Sequence, residues 1–272
     1  MAYDKIVDST ALDTALTDIA DSIRAKTGKT DPLTIEQMPS EIEGISGGSV
    51  YENLKYAAKV SFAKTTLPDT FEVTLPDAQK DFSYLFERTR AKNIIVHSNA
   101  QPTSMYKTFA YANLGNLQTI TLDFDTSKVT TYQDCFSFGI GDWGAYFTTI
   151  NGVFDFTSVT AKGVGSMFVA TNNLQYVTFA ANTLNVNFNA SNIFNINNTS
   201  LLSLINCLRD RAGEDALTLT VKDTWKTADT GRLYANYVKL DADTGLYVLC
   251  EQTDEGAMTI ATAITAKNWT IA

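Results

Sequence analysis

The sequence predicts an α+β protein: a short N-terminal helical segment, then an irregular β-solenoid, then a C-terminal cap of hairpin and helix. Three observations lead there. An apolar stripe at helical spacing is confined to the first 46 residues. Beyond residue 51, short β-rich runs separated by Asn, Thr, Ser, Asp and Gly recur at near-even intervals. A phenylalanine keeps step with those runs, at Phe86, Phe109, Phe136, Phe168 and Phe194, with spacings of 23, 27, 32 and 26 residues. Self-similarity at such a period marks an array in which each repeat hides its apolar edge against the next. The uneven spacing implies insertions, the foremost at Gly139 to Ala145, expected as a surface loop. A β-sandwich with turns every roughly 8 to 12 residues is the competing architecture.

The expected division is 1–46 as a helical attachment or oligomerisation segment, 47–52 as a linker, 53–221 as the solenoid and 222–272 as the cap. In the first segment Leu12, Leu16, Ile19 and Ile23 recur at intervals of four, three and four, on one narrow helical stripe. Ser9 or Thr10 can cap its start, Arg24 and Lys26 suit its negative end, and Gly28 can close it. Thr34 and Gln37 form a capping box for a second short helix with Met38, Ile42 and Ile45 on its apolar face. A stripe of two to three turns is marginal alone in water. It therefore either self-associates, at coiled-coil spacing, or docks on the body of the chain or on another protein.

The strand candidates are Phe71 to Leu75, Asn93 to His97, Leu117 to Phe124, Thr149 to Phe156, Leu174 to Phe179, Leu184 to Phe188 and Leu217 to Val221. A solenoid end exposes strand edges and core, so it needs closing. Leu201-Leu-Ser-Leu-Ile-Asn-Cys-Leu208 resembles the helix that closes such arrays in phage proteins. Arg232 to Leu240 and Leu246 to Gln252 read as strands about the turn Asp241 to Gly245, and Met258, Ala261 and Ile264 make a helix face. Trp269 and Ile271 complete the cap.

Composition narrows the function. A formal charge of −9 disfavours a nucleic-acid backbone or an anionic membrane as partner, because both are bound through clustered Lys and Arg. The start lacks the pattern of a signal peptide, and no stretch reaches the roughly 18 apolar residues of a membrane helix, so synthesis in a cytoplasm is expected. Cys135, Cys207 and Cys250 show no CxxC pairing and read as buried thiols. His97 is the single histidine and sits inside a strand-like run, which favours a structural role over a Ser-His-Asp arrangement. Neither a catalytic set, a cofactor nor a metal site is assigned. Asp123 with Asp125, and Asp241 to Gly245, have the look of calcium ligands but read as solvated edge and turn, the second lacking the twelfth-position acid at Gln252. A carboxylate pair for glycoside hydrolysis leaves no local spacing to find. Recognition by exposed aromatics remains, with Trp143 and Tyr146 in the glycine-rich insertion as the candidates. Tyr106, Tyr111 and Tyr132, beside the repeat phenylalanines, are expected to pack in the core.

Phe124-Asp-Thr-Ser-Lys-Val-Thr-Thr-Tyr-Gln-Asp-Cys-Phe136 and Phe154-Asp-Phe-Thr-Ser-Val-Thr-Ala-Lys-Gly-Val-Gly-Ser-Met-Phe168 resemble the unit of the BspA-like leucine-rich repeat, with Leu117 to Leu122 and Asn173 to Val177 as its strand. Leu16 to Ile42 is similar to a leader segment of phage minor structural and tail proteins, and Ile260 to Ala272 is similar to the ending of such chains, with Asn268 where glycine is usual. The resemblance implies a virion structural protein, a tail-fibre or baseplate-type accessory or receptor-binding component of a phage of Gram-positive bacteria. Its implied partners are other virion proteins, a host surface protein or glycan, and further copies of itself, a trimer being one arrangement. A bacterial cell-surface adhesin with the same repeats and a polysaccharide-degrading enzyme are the alternatives, and no enzyme is the expectation.

Overall fold

The computed structural model describes residues 9–27, 30–32, 34, 37, 59–112, 116–139, 146–193 and 195–272. The chain divides into two compact units, residues 1–53 and 54–272. In the first, the striped segment is a helix, α1 (Ser9–Thr27). Gln37 Oε1 accepts from the Thr34 N–H at 2.9 Å, the reach-back half of the expected capping box. Met38, Ile42, Ile45 and the linker lie outside the described residues.

The second unit is a mixed α/β body dominated by parallel sheet. Strands β1 (Thr70–Thr74), β2 (Asn93–His97) and β3 (Thr119–Asp123) are followed by the short β4 (Phe136–Ser137), then β5 (Thr149–Phe154), β6 (Phe168–Val169) and β7 (Tyr176–Phe179). The main sheet runs in the order β1-β2-β3-β5-β7, every neighbouring pair parallel. Parallel pairing in chain order excludes the antiparallel sandwich. Residues alternate across the sheet: Phe71, Val73, Ile94, Val96, Ile120 and Leu122 point into the core and their neighbours point out.

Behind this sheet the chain returns along a second ladder. The Phe86, Phe109 and Phe136 N–H groups donate to Thr108, Cys135 and Met167 carbonyls in the following repeat at 2.7, 3.0 and 2.8 Å. Their rings stack in one column. Centroids of Phe62/Phe86, Phe86/Phe109, Phe109/Phe136 and Phe136/Phe168 lie 5.3, 5.3, 5.5 and 5.5 Å apart, within 13° of parallel. That separation is set by the strand spacing of roughly 4.8 Å, so the phenylalanine pacing has a physical cause: each ring needs the ring of the next repeat to complete its burial. Residues two before or two after the column phenylalanines, Lys64, Tyr84, Arg88, Lys107, Tyr111, Asp134, Ser166 and Ala170, hold φ between 51° and 61°. This left-handed backbone aims alternate N–H groups at the next repeat, while those between close turns, as Leu85 N–H does on Phe82 O at 3.1 Å. Phe194 lies outside the described residues.

Helix α2 (Asn198–Cys207) ends the main sheet. Asn197 caps it by accepting from the Ser200 N–H at 2.8 Å. Ser200 Oγ accepts from the Val177 N–H at 3.0 Å, and Ser203 Oγ accepts from the Phe179 N–H at 2.8 Å while donating to Phe179 O at 3.0 Å. The edge of β7 is thus satisfied by side chains instead of another strand. A second parallel sheet joins β8 (Phe188–Asn189), β9 (Leu217–Thr220) and the terminal β13 (Trp269–Ile271). The run from Leu184 is shorter than expected, because Leu184 makes only an isolated bridge to Leu208.

The cap corrects two expectations. Arg232 to Leu240 is not one strand: α3 (Arg232–Ala235) precedes β10 (Tyr237–Leu240). Gly231 leads into that helix with its backbone pressed on residues 225–227, where a Cβ would fall 2.4 Å from Trp225 O. β10 pairs antiparallel with β11 (Tyr247–Cys250) and β12 (Met258–Thr259), so Met258 belongs to a strand. The helix α4 (Ile260–Ala266) starts after it and buries Ile260, Ala261, Ala263 and Ile264.

Candidate recognition surface

The outward side chains of the main sheet line up in rows because its strands are in register. Thr70, Asn93, Thr119, Thr149 and Tyr176 form one row, and Glu72, Ile95, Thr121 and Asn151 the next. Neighbours within a row lie about 4.8 Å apart, close enough for cross-strand hydrogen bonds. Asn93 Nδ2 donates to Thr70 Oγ1 and Asn151 Nδ2 to Thr121 Oγ1, both at 3.1 Å. Tyr176 is 52% and Val153 48% exposed on the same face. The result is a polar, largely uncharged lattice on a rigid support.

The third row is different. Thr74, His97 and Asp123 close the C-terminal ends of β1 to β3. His97 Nδ1 lies 2.7 Å from Asp123 Oδ2, and Nε2 lies 2.8 Å from Glu72 Oε1. Both ring nitrogens thus face acceptors, which only the imidazolium satisfies. The Asp123 hydrogen bond, then that of Glu72, raises the His97 pKa above its ordinary value against the pull of partial burial. Beside this cluster β5 breaks register after Asn151 at Gly152, where φ is +125° and a Cβ would lie 2.6 Å from Leu122 O. The bulge opens a concavity of about 480 Å³ lined by Thr74, His97, Asn99, Asp123, Phe124, Asp125 and Val153. Asp125 accepts from the Ser127 N–H at 2.8 Å and from Gln101 Nε2 at 2.6 Å, and the Ser127 bond holds its carboxyl below the usual range.

The residues singled out from sequence fare unequally. Trp143 lies outside the described residues, while Tyr146 is 57% exposed. Tyr132 is in the core, its hydroxyl donating to Thr126 and Asp155 carbonyls at 3.4 and 3.3 Å. Tyr106 and Tyr111 depart from expectation and are only half-buried. Tyr132 stands four residues before its column phenylalanine, but Tyr106 stands three before Phe109 and Tyr111 two after it, so both turn outward. Lys107 Nζ sits 5.2 Å over the Tyr106 ring, the Arg88 guanidinium 5.4 Å over Tyr111. On α1, Leu16 is half-buried, Ile19 47% exposed and Ile23 buried, as is Ala20. The Leu12 side chain is outside the described set.

Cys135 and Cys207 are buried, and desolvation pushes both thiols up, Cys207 to about 12. Cys250 is partly exposed. Asp241 Oδ1 accepts from both the N–H and the hydroxyl of Thr244, at 2.9 and 2.8 Å, and so serves its turn. Among the described residues, no group of three or more His, Cys, Asp or Glu is placed to hold a metal ion, and no helix is long and apolar enough to cross a membrane. Sequence reasoning noted His97 and Asp123 separately and passed over Glu72. The signal was their shared parity on three alternating strands.

None of the protein-family models, curated proteins or solved structures compared with this chain matches it.

Proposed function

We propose that the described residues within 53–221 form an irregular BspA-like leucine-rich-repeat solenoid, and that the chain is a virion structural protein of a phage of Gram-positive bacteria. In this reading it binds a surface protein or glycan through the open sheet face, without catalysis, and α1 provides attachment or self-association. The observation that carries it is the in-register polar lattice. Five parallel strands in chain order present Thr, Asn and Tyr side chains on a support fixed from behind by the phenylalanine column. Such a face offers hydroxyl and amide groups at fixed spacing, the chemistry that matches protein backbone or sugar hydroxyls. The leader resemblance at Leu16 to Ile42 supplies the virion part of the reading.

The test is sedimentation of the purified protein with cell envelopes of the host. Thr121→Arg places a bulky cation at the centre of the lattice. Wild-type protein is expected to co-sediment, and the variant to lose at least tenfold in apparent affinity with unchanged circular dichroism. Equal binding by both, or binding by neither, would overturn the assignment of this face.

A further inference from the structure

The three strands that end in Thr74, His97 and Asp123 are tied by something other than their backbone ladder. Each comes from a different repeat, and one imidazole spans them, reaching Glu72 on β1 and Asp123 on β3 from its own place at the end of β2. A neutral imidazole has one N–H donor, and an imidazolium has two. The clasp can therefore be complete only while the ring is charged. We propose that Glu72, His97 and Asp123 form a proton-operated clasp that regulates the recognition face: closed when His97 is protonated, and open, with one carboxylate released onto the sheet surface, when it is not. This rests on the reading of that face as the binding surface.

The surroundings favour such a device. The charged groups facing His97 are Glu72 from β1 and Asp123 from β3, with Asp125 in the loop after β3 lining the same concavity. Asp125 is itself engaged by Ser127 and Gln101, and Asp77, after β1, accepts from Asn99 Nδ2 at 3.2 Å. Among these neighbours, then, the imidazolium is the cation set between two carboxylates. The ring is also partly solvated, its side chain one-third exposed at 33%, so protons reach it without unfolding. The asymmetry of the pair selects which bond breaks. A neutral ring keeps one N–H, so one bond survives; the shorter contact is that to Asp123, 2.7 against 2.8 Å, which leaves Glu72 as the carboxylate released. Glu72 shares its row with Ile95, Thr121 and Asn151, the centre of the lattice, and its freed carboxylate adds uncompensated negative charge there.

The sign follows from linkage. A cationic group whose folded pKa is raised contributes stability that is fully present below its unfolded value of about 6.5 and is lost as pH rises through the folded pKa. The clasp therefore loosens toward alkaline pH.

A single histidine makes the test clean, because one ring gives one set of imidazole resonances. NMR titration of the full chain is expected to show a midpoint above 6.5, lowered more by Asp123→Asn than by Glu72→Gln. Hydrogen exchange across the midpoint, corrected for intrinsic rates, is expected to show protection of β1 to β3 falling severalfold in the wild type and staying flat in His97→Gln. A midpoint at or below 6.5, or identical pH profiles for wild type and His97→Gln, would overturn the clasp. Envelope binding measured over the same range separates the two claims. Binding that shifts across the midpoint in wild type but not in His97→Gln supports regulation, and binding constant across it overturns regulation. No binding at any pH overturns the recognition reading while the NMR result still decides the clasp.

Discussion

Replacing Phe109 by alanine removes the middle of the aromatic column. Its ring is 1% exposed and stacked on both sides, 5.3 Å from Phe86 and 5.5 Å from Phe136, within 6° of parallel. Truncating a buried phenylalanine costs about 3–5 kcal/mol, and contacts on two sides, each aromatic pair worth about 0.5–1.5 kcal/mol beyond area, put this site at about 4 kcal/mol. With a urea slope of about 3 kcal/mol per M, the midpoint should fall by ~1.3 M. On the solenoid reading proposed above the damage is local, since each repeat of such an array contacts only its neighbours. Two probes are therefore needed: circular dichroism for the sheet, and fluorescence of Trp225 and Trp269, both buried in the C-terminal part, in a Trp143→Phe background. The dichroism transition should move by the full amount and the fluorescence transition by less. A loss below about 1 kcal/mol would refute the column as a main source of cohesion, and transitions that move together would refute repeat-by-repeat coupling.

Three further outcomes are expected. Ala170→Gly relieves a left-handed residue at φ 56° and should stabilise by about 0.5–1 kcal/mol in the same assay, where glycine in ordinary backbone would destabilise. Ser203→Ala strips the Phe179 N–H and C=O of their side-chain partner and should cost about 1–3 kcal/mol, with a rise in aggregation on heating as the β7 edge opens. Lys267 donates to the Ile205, Asn206 and Leu208 carbonyls at the end of α2 at 3.2, 3.4 and 2.7 Å, and burial pulls its pKa down to about 8. The unfolded chain holds that proton up to about 10.4, so the Lys267 contribution to stability should rise with pH between about 8 and 10. Urea midpoints of wild type and Lys267→Met at pH 7.5 and 9.5 should show the rise in the first alone.

Much of the body was legible because its strands are half-buried and alternate. Asn93 to His97 is a strand to the residue, since Ile94 and Val96 are the only inward positions a five-residue run can offer. The phenylalanine spacing gave the repeat, yet Phe62 was overlooked although it stands 24 residues before Phe86 and stacks on it. Where local pattern and tertiary demand diverged, the reading failed. Arg232 to Ala235 carries strand-like alternation but turns into a helix, because Leu233 must be buried and the Arg232 guanidinium lies 5.3 Å over the Trp225 ring. The clasp was illegible for a different reason. Glu72 and Asp123 stand 25 and 26 residues from His97, and repeats of unequal length prevent anyone from counting a register across them. Gly152 could not be read either, since its need for a bare Cα is created by Leu122 on the preceding strand.

The virion reading is tested most directly by fractionation. Phage particles purified on a density gradient from the strain that carries this gene should contain the chain at fixed stoichiometry, with antibody to the sheet face decorating one structure on the particle. Its absence from particles, together with recovery in the washed cell-wall fraction, would contradict the account and favour a cell-surface adhesin.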